Sequence, residues 1–173
     1  MILKEISNFN NVNDYLPILN GCINADLLLI FLVYHGIIKS VFLKKWYSKF
    51  KLSAIIVDVL LFFIIIITTR FFYTYLFNTF CIFSFIGLAI CVQIIHDLLF
   101  YNIFKNTHIG YNNMLDFFKG YSNEMGLKAI FTNMGVITLA CLFAGHFNTY
   151  SLNMNIILLI VSCYFFPYVI NYD

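Results

Sequence analysis

The chain contains LSAIIVDVLLFFIIIITT at residues 52–69, an almost unbroken run of Ile, Leu, Phe and Val. An α-helix rises about 1.5 Å per residue, so about 20 apolar residues cross the roughly 30 Å hydrocarbon core of a bilayer. Comparable runs lie at residues 80–99, 127–147 and 151–170. Several such runs within 173 residues leave no length for a separate soluble domain. The sequence therefore predicts an integral membrane protein.

Composition and run length together predict the form of the spans. Hydrophobic residues make up 62% of the chain and charged residues 10%, whereas a soluble domain carries about 25% charged residues. Lipid offers an open backbone no hydrogen-bond partner, so helices are expected. The runs are continuous, unlike the alternating segments of about 10 residues in an outer-membrane barrel. We predict an all-α fold, a polytopic transmembrane helical bundle.

The apolar runs divide the chain into five predicted spans, near residues 21–43, 52–73, 80–104, 127–147 and 151–170. Residues 1–20 form a polar or interfacial segment before this transmembrane domain, which covers 21–173. In the polar loop at 105–126, Tyr111, Met114, Leu115 and Phe118 recur at i, i+3, i+4 and i+7. That spacing predicts an amphipathic helix over residues 111–121, lying on the membrane surface.

Basic residues follow the first predicted span and indicate the orientation of the chain. Lys44, Lys45, Lys49 and Lys51 flank Trp46, and basic loops are retained on the cytosolic side. Five spans then put the amino terminus outside and the carboxyl terminus in the cytosol. We interpret these lysines and Trp46 as contacts to lipid headgroups. The expected partners are the lipid bilayer, with anionic headgroups or a capsid or membrane-complex protein over this segment, and a homo-oligomer is compatible with the sequence.

Ionisable side chains inside the spans need an explanation, because each costs about 2.5–3.5 kcal/mol at a helix centre. Gln93, His96 and Asp97 are spaced i, i+3 and i+4 in the third span, so they share one helix face. Such a cluster either relays protons and positions a substrate, or fixes the bundle through hydrogen bonds between helices. Both interpretations stay open at this stage.

Two further carboxylates lie in the first two predicted spans. From the predicted boundaries, we expect Asp26 and Asp58 to lie toward opposite sides of the membrane, and therefore not to be partners. Asp58 is expected to meet His35 or Lys39, which lie at a similar depth. Arg70, the only arginine, is expected to extend from the outer end of the second span to the headgroups.

The sequence lacks the residue patterns that are typical of several functional classes. No HxxxH, HxxE or HExxH spacing is present, so neither a metal site nor a cofactor is predicted. The chain also lacks a CxxC pair, a GxSG-type serine site and a TVGYG-like filter. A net charge of +2 is too small to indicate nucleic-acid binding.

Three neighbouring stretches carry a resemblance to a known family: IHDLLFY at 95–101, GYNNMLDFFK at 110–119 and YSNEMGLKAI at 121–130. They resemble uncharacterised multi-span membrane proteins encoded by large nucleocytoplasmic DNA viruses of protists and algae. The resemblance covers about a quarter of the chain. It implies a viral membrane or the internal membrane of a virion, and it assigns no catalytic residue.

Three functions are consistent with these observations. The leading one is a non-enzymatic protein that organises a viral membrane. The second is a proton or ion pathway, or a small transporter, that uses Asp58, His96 and Asp97. The third is a lipid-modifying enzyme with His96 or Asp97 as general base, which predicts a polar pocket under the amphipathic helix. An accessory subunit of an organellar membrane complex also fits. An open, hydratable cavity where Asp58 meets Gln93, His96 and Asp97 would favour the second and third functions.

Overall fold

The computed structural model describes residues 3–125 and 127–171, without the side chains of residues 121–129. A short 3-10 turn, Val12–Asp14, precedes the first helix. The described residues form no strand and seven α-helices: α1 (Tyr15–Tyr34), α2 (Val41–Phe50), α3 (Leu52–Leu76), α4 (Ile82–Asn106), α5 (Asn113–Met125), α6 (Leu127–Phe147) and α7 (Leu152–Ile170).

Five segments of the described chain are long and apolar enough to cross a membrane: Val12–Tyr34, Leu52–Leu76, Ile82–Asn106, Ile130–Phe147 and Leu152–Ile170. The predicted all-α transmembrane bundle is thereby confirmed, and the chain is a multi-pass integral membrane protein. The short helices α2 and α5 pack against each other. We refer to the end of the bundle formed by α2 and α5 as the lysine end, and to the other as the amino-terminal end.

Helix α1 is the centre of the bundle, in contact with α2, α3, α6 and α7. Of its most apolar stretch, 61% of the residues are buried, against 22% to 39% in the other four spans. Its closest neighbour is α6. A Cβ atom added at Gly21 would lie 2.6 Å from the carbonyl oxygen of Ala140 and 2.8 Å from the backbone nitrogen of Ala144. Small residues on both helices thus allow their backbones to meet, as is common in membranes.

The first span lies earlier in the chain than predicted. It begins at Tyr15 and ends at Tyr34, whereas the hydropathy pattern places it at 21–43. Pro17 sits in the first turn, where its missing N–H costs nothing. Gly36 adopts a φ of +70°, a conformation that ends a helix and that glycine adopts without strain. The last six residues of the predicted segment 1–20 therefore belong to α1.

Two polar side chains on α1 donate hydrogen bonds to α7. The Asn20 amide donates to the backbone carbonyl of Asn155 at 2.9 Å and to its side-chain oxygen at 3.0 Å. One turn further on, the Asn24 amide donates to the Ser162 hydroxyl at 3.1 Å. These bonds explain how a helix with so many polar residues packs at the centre of the bundle.

Arg70 does not extend to the headgroups. Its side chain is fully buried at the amino-terminal end, where it forms an ion pair of 3.1 Å with Asp14. The same guanidinium donates to the carbonyl oxygens of Asn8 and Asn11, and Asn148 donates to Asp14 at 3.1 Å. The prediction was wrong because the amino-terminal segment folds back and supplies both a counter-charge and carbonyl acceptors.

The loop at 105–126 contains the expected amphipathic helix, two residues later than predicted. It begins after Asn112, whose side-chain oxygen accepts from the backbone N–H groups of Met114 and Leu115 at 2.8 and 3.2 Å. Its apolar face packs on the protein: the Phe118 ring stacks on Phe104 with centroids 5.3 Å apart. Tyr111, assigned to the same face, precedes the helix and is 78% exposed. The helix therefore covers α2 and α4 instead of presenting this face to lipid.

The contact between α1 and α6 generates a stability prediction. In Gly21→Leu the new side chain has no space against the backbone of α6. We therefore expect the free energy of unfolding to fall by about 3 kcal/mol, the upper end of the overpacking cost of about 1–3 kcal/mol in ordinary cores. Thermal unfolding in detergent measures it. The matched control is Gly87→Leu on α4, where an added Cβ meets no atom within 4 Å. Equal melting temperatures for the two variants would contradict the assigned contact.

Candidate functional site

A cavity of about 480 Å³ lies at the lysine end of the bundle. Residues of α1, α3, α4 and α6 form its walls, and residues of α2 and α5 cover it. Most of the lining is apolar or aromatic. The polar lining residues are Trp46, Tyr47, Asp58, His96, Asp97, Tyr101 and Asn133. Three residues of the predicted polar cluster, Asp58, His96 and Asp97, thus meet around one space.

Two carboxylates lie beside Tyr47, which is fully buried. The Tyr47 hydroxyl donates to Asp26 at 2.9 Å and also interacts with Asp58. On the neighbouring residue, the indole N–H of Trp46 donates to Asp58 at 2.9 Å. Burial and the nearby carboxylates of Asp26 and Asp58 raise the pKa of Tyr47 well above its ordinary value of 10.0. The hydroxyl therefore keeps its proton and remains a donor.

Asp26 and Asp58 are neighbours, contrary to the sequence-based expectation. Asp26 lies eight residues before the end of α1 and Asp58 six residues after the start of α3, which is about 12 Å and 9 Å along the two axes. They therefore lie at similar depth on adjacent helices. The error follows from the boundary of the first span, because a helix over 21–43 would place Asp26 near its outer end.

Asp97 is held by amide groups from two helices. Gln93, one turn earlier on α4, donates to one carboxylate oxygen at 2.7 Å. Asn133 of α6 donates to the other oxygen at 3.1 Å. The His96 Nδ1 lies 3.4 Å from the first oxygen. Gln93 is fully buried behind Asp97, so it orients the carboxylate, while His96 and Asp97 face the cavity.

Aromatic rings form the cover of the cavity. Trp46 packs against Phe118 and Phe117 with centroid distances of 4.6 and 5.6 Å, and Phe100 meets Phe104 edge to face at 4.4 Å. Trp46 is only 3% exposed and so does not lie among headgroups as predicted. The helical spacing places Leu43, Trp46 and Tyr47 on the face of α2 opposite its lysines, and that face turns inward.

The cavity reaches the surface of the bundle between α3 and α4. Three lining residues are also exposed: Val57 at 36%, Leu98 at 58% and Tyr101 at 49%. All three belong to segments that are apolar enough to span the membrane. The opening therefore faces the side of the bundle that lipid would surround.

The other predicted site residues lie outside the cavity. His35 follows α1 and is exposed, with Nδ1 2.9 Å from the carbonyl oxygen of Phe31 and its ring stacked on that of Phe31. It does not meet Asp58. The four lysines are exposed around α2: Lys44, Lys45, Lys49 and Lys51. Lys49 lies over the Phe117 ring at 6.0 Å, and Lys51 donates to Asn171 at 3.3 Å.

Sequence reasoning missed Tyr47, Phe117 and Asn133. Phe117 belongs to the described apolar face of α5, and Tyr47 to the inward face of α2, so helical spacing alone could have found both. Asn133 carried no such signal, because a single amide within an apolar span has no partner that the sequence can identify.

Among the described residues, no group of three or more His, Cys, Asp or Glu could hold a metal ion. No protein family model, no curated protein and no solved structure matches this chain. What the arrangement can do chemically is accept hydrogen bonds or a positive charge at one end of an apolar space.

The bond between Tyr47 and Asp26 generates a second stability prediction. Tyr47→Phe removes the only donor to a carboxylate whose other oxygen, among the described residues, has no hydrogen-bond partner. Leaving a buried acceptor unsatisfied costs about 1–3 kcal/mol. We expect that loss in thermal or denaturant unfolding in detergent. Tyr101→Phe, at a half-exposed position on the cavity wall, is the control and should be nearly neutral. A Tyr47→Phe protein as stable as the control would show that the bond is not important.

Proposed function

We propose that this membrane protein binds an amphiphilic molecule in the cavity between α3 and α4. The observation that carries the proposal is the cavity itself, with about 480 Å³ of space, an apolar and aromatic lining, and two carboxylates. Sites for small molecules have volumes of about 300–1,000 Å³ and combine an apolar lining with a few placed polar groups.

The position of the opening supports a ligand that comes from the bilayer. Val57, Leu98 and Tyr101 are exposed on spanning helices, so a molecule dissolved in lipid can reach the cavity sideways. The polar residues Asp58 and Asp97 lie toward the lysine end, where a headgroup would be at the level of the interface. An acyl chain would then occupy the apolar part of the space.

The lining also weighs against a hydrated path for ions. A transport path of that kind needs successive polar groups along its length, whereas Phe62, Phe100, Phe104, Phe117 and Phe118 form much of this wall. A lipid-modifying activity is the second way in which the same site could act, with His96 as the base because its imidazole faces the cavity beside Asp97. Appearance of a chemically altered amphiphile would assign that activity.

Trp46, the only tryptophan in the chain, reports directly on the cavity. In lipid nanodiscs, an amphiphile with a brominated chain should quench Trp46 emission strongly and saturably. The control is the double variant Trp46→Phe, Phe131→Trp, which moves the tryptophan from the cavity to a position that is 68% exposed. There, partition into the bilayer alone should give quenching that rises linearly. Linear quenching in both proteins would overturn the proposal.

A second function is supported by the lysine-rich face of α2. The exposed lysines Lys44, Lys45, Lys49 and Lys51 at one end of the bundle favour contact with anionic headgroups or an acidic protein layer, each worth about 1 kcal/mol near a charged surface. The resemblance within residues 95–130 supports a viral membrane, or an internal membrane of an infected cell, as the place. This function requires the lysine end to lie in the cytosol, with the amino terminus outside.

Cys81 tests that orientation, because it lies in the turn between α3 and α4 at the amino-terminal end. It is exposed, and the backbone N–H groups of Ser84 and Phe83 lower the pKa of its thiol. When the protein is produced in the plasma membrane of intact cells, a membrane-impermeant maleimide should therefore label Cys81 from outside, with a plateau at a lower pH than for an ordinary thiol. The double variant Cys81→Ser, Ser48→Cys moves the thiol to α2 at the lysine end, so its labelling should require permeabilised membranes. The reverse pattern would remove the lysines from the cytosolic leaflet.

A further inference from the structure

We infer that the amphiphile carries a cationic headgroup, an ammonium nitrogen held between Asp58 and Asp97 against the aromatic cover. This inference rests on the proposed function and specifies its ligand. The two carboxylates belong to facing helices, α3 and α4, and both line the cavity. Among the described residues that line it, none is Lys or Arg.

Within the part of the chain that the structure describes, neutral groups donate the main hydrogen bonds to the two carboxylates. Asp58 accepts from the indole of Trp46, and Asp97 accepts from the amides of Gln93 and Asn133. These donors fix the orientation of the carboxylates and bring no charge. His96, at 3.4 Å from Asp97, is the one basic side chain in the described lining.

The amino-terminal end shows what the same chain does when a buried carboxylate has an internal partner. There Asp14 pairs with Arg70 at 3.1 Å, and the guanidinium is fully buried. The cavity has no such cation within the described residues, since Lys49 lies on the exposed side of the Phe117 ring. A positive charge on a ligand would pair with Asp58 and Asp97 as Arg70 pairs with Asp14 at the other end of the bundle.

The rings around the carboxylates favour an alkylated ammonium. Trp46, Phe117 and Phe118 lie within 6.5 Å of one another, centroid to centroid, and Phe100 and Phe104 continue the wall. Aromatic faces attract cations, Trp most strongly, and groups of such rings bind quaternary ammonium ions. A trimethylammonium group has no N–H to satisfy, so it needs only the carboxylate charge and the ring faces.

The experiment compares ligands that share one chain and differ in the head. Dodecyltrimethylammonium, dodecanol and dodecanoate are added to the wild-type protein in nanodiscs, and binding is followed by Trp46 emission. We expect the cation to bind at least about tenfold more tightly than the alcohol, because desolvated aromatic faces attract an ammonium group and not a hydroxyl. The anion should bind most weakly.

Three variants assign the preference to the carboxylates. Asp58→Asn and Asp97→Asn keep the side-chain shape and should each reduce the preference for the cation about tenfold, the effect of one lost charge contact at partial burial, with dodecanol binding unchanged. Glu5→Gln, a carboxylate at the amino-terminal end, should change nothing. Comparison of wild-type ligands alone decides the case if an Asn variant fails to fold.

The outcomes separate the two proposals. If all three ligands bind with similar affinity, or the alcohol binds best, the cationic headgroup is wrong while the cavity remains an amphiphile site. If none gives a saturable change in Trp46 emission, the proposed function itself is wrong. A preference for the cation that survives in both Asn variants would also overturn the assignment, because it would then arise elsewhere on the protein.

Discussion

The hydrogen bond from Tyr47 to Asp26 is the contact on which the cavity depends. It joins α2, which is too short to span a membrane, to the central helix, with both side chains fully buried. Once Tyr47 is fixed there, the adjacent Trp46 lies against α3 and bonds Asp58. The ring of Trp46 then supplies the surface on which α5 packs through Phe117 and Phe118. This hydrogen bond thus links the cover of the cavity to the central helix.

Polar groups hold this bundle together because apolar contact cannot do so alone in lipid, where the hydrocarbon is as apolar as the side chains. The chain answers this constraint in two ways. Gly21 lets α1 approach the backbone of α6, where dispersion contacts are dense. Amides and an ion pair join α1 and the amino-terminal segment to α7 and α3, through Asn20, Asn24 and Arg70. These bonds accommodate the polar side chains of α1, which is the most buried of the five spans.

This same property limits what could be predicted from the sequence. Run length and the near absence of charge were sufficient for the class and for four of the five spans. The first boundary was wrong because hydropathy counts a polar residue such as Asn20 as exposed, although its amide donates to Asn155 of α7 inside the bundle. In the site, the cost of a charge in lipid drew attention to Asp58, His96 and Asp97. The lysines that flank Trp46 indicated a contact with headgroups, whereas its ring faces the bundle. Only the fold shows which side of α2 meets the bundle.

A cavity of about 480 Å³ in a bundle of this size is itself a constraint. Its walls forgo dispersion contacts that a filled space would provide, and the carboxylates of Asp58 and Asp97 hold their positions through donors on other helices. An occupant that binds only the folded protein stabilises it by RT ln(1 + [L]/Kd). Occupancy by an amphiphile would therefore stabilise the cover formed by α2 and α5, so binding and the integrity of that end of the bundle are linked.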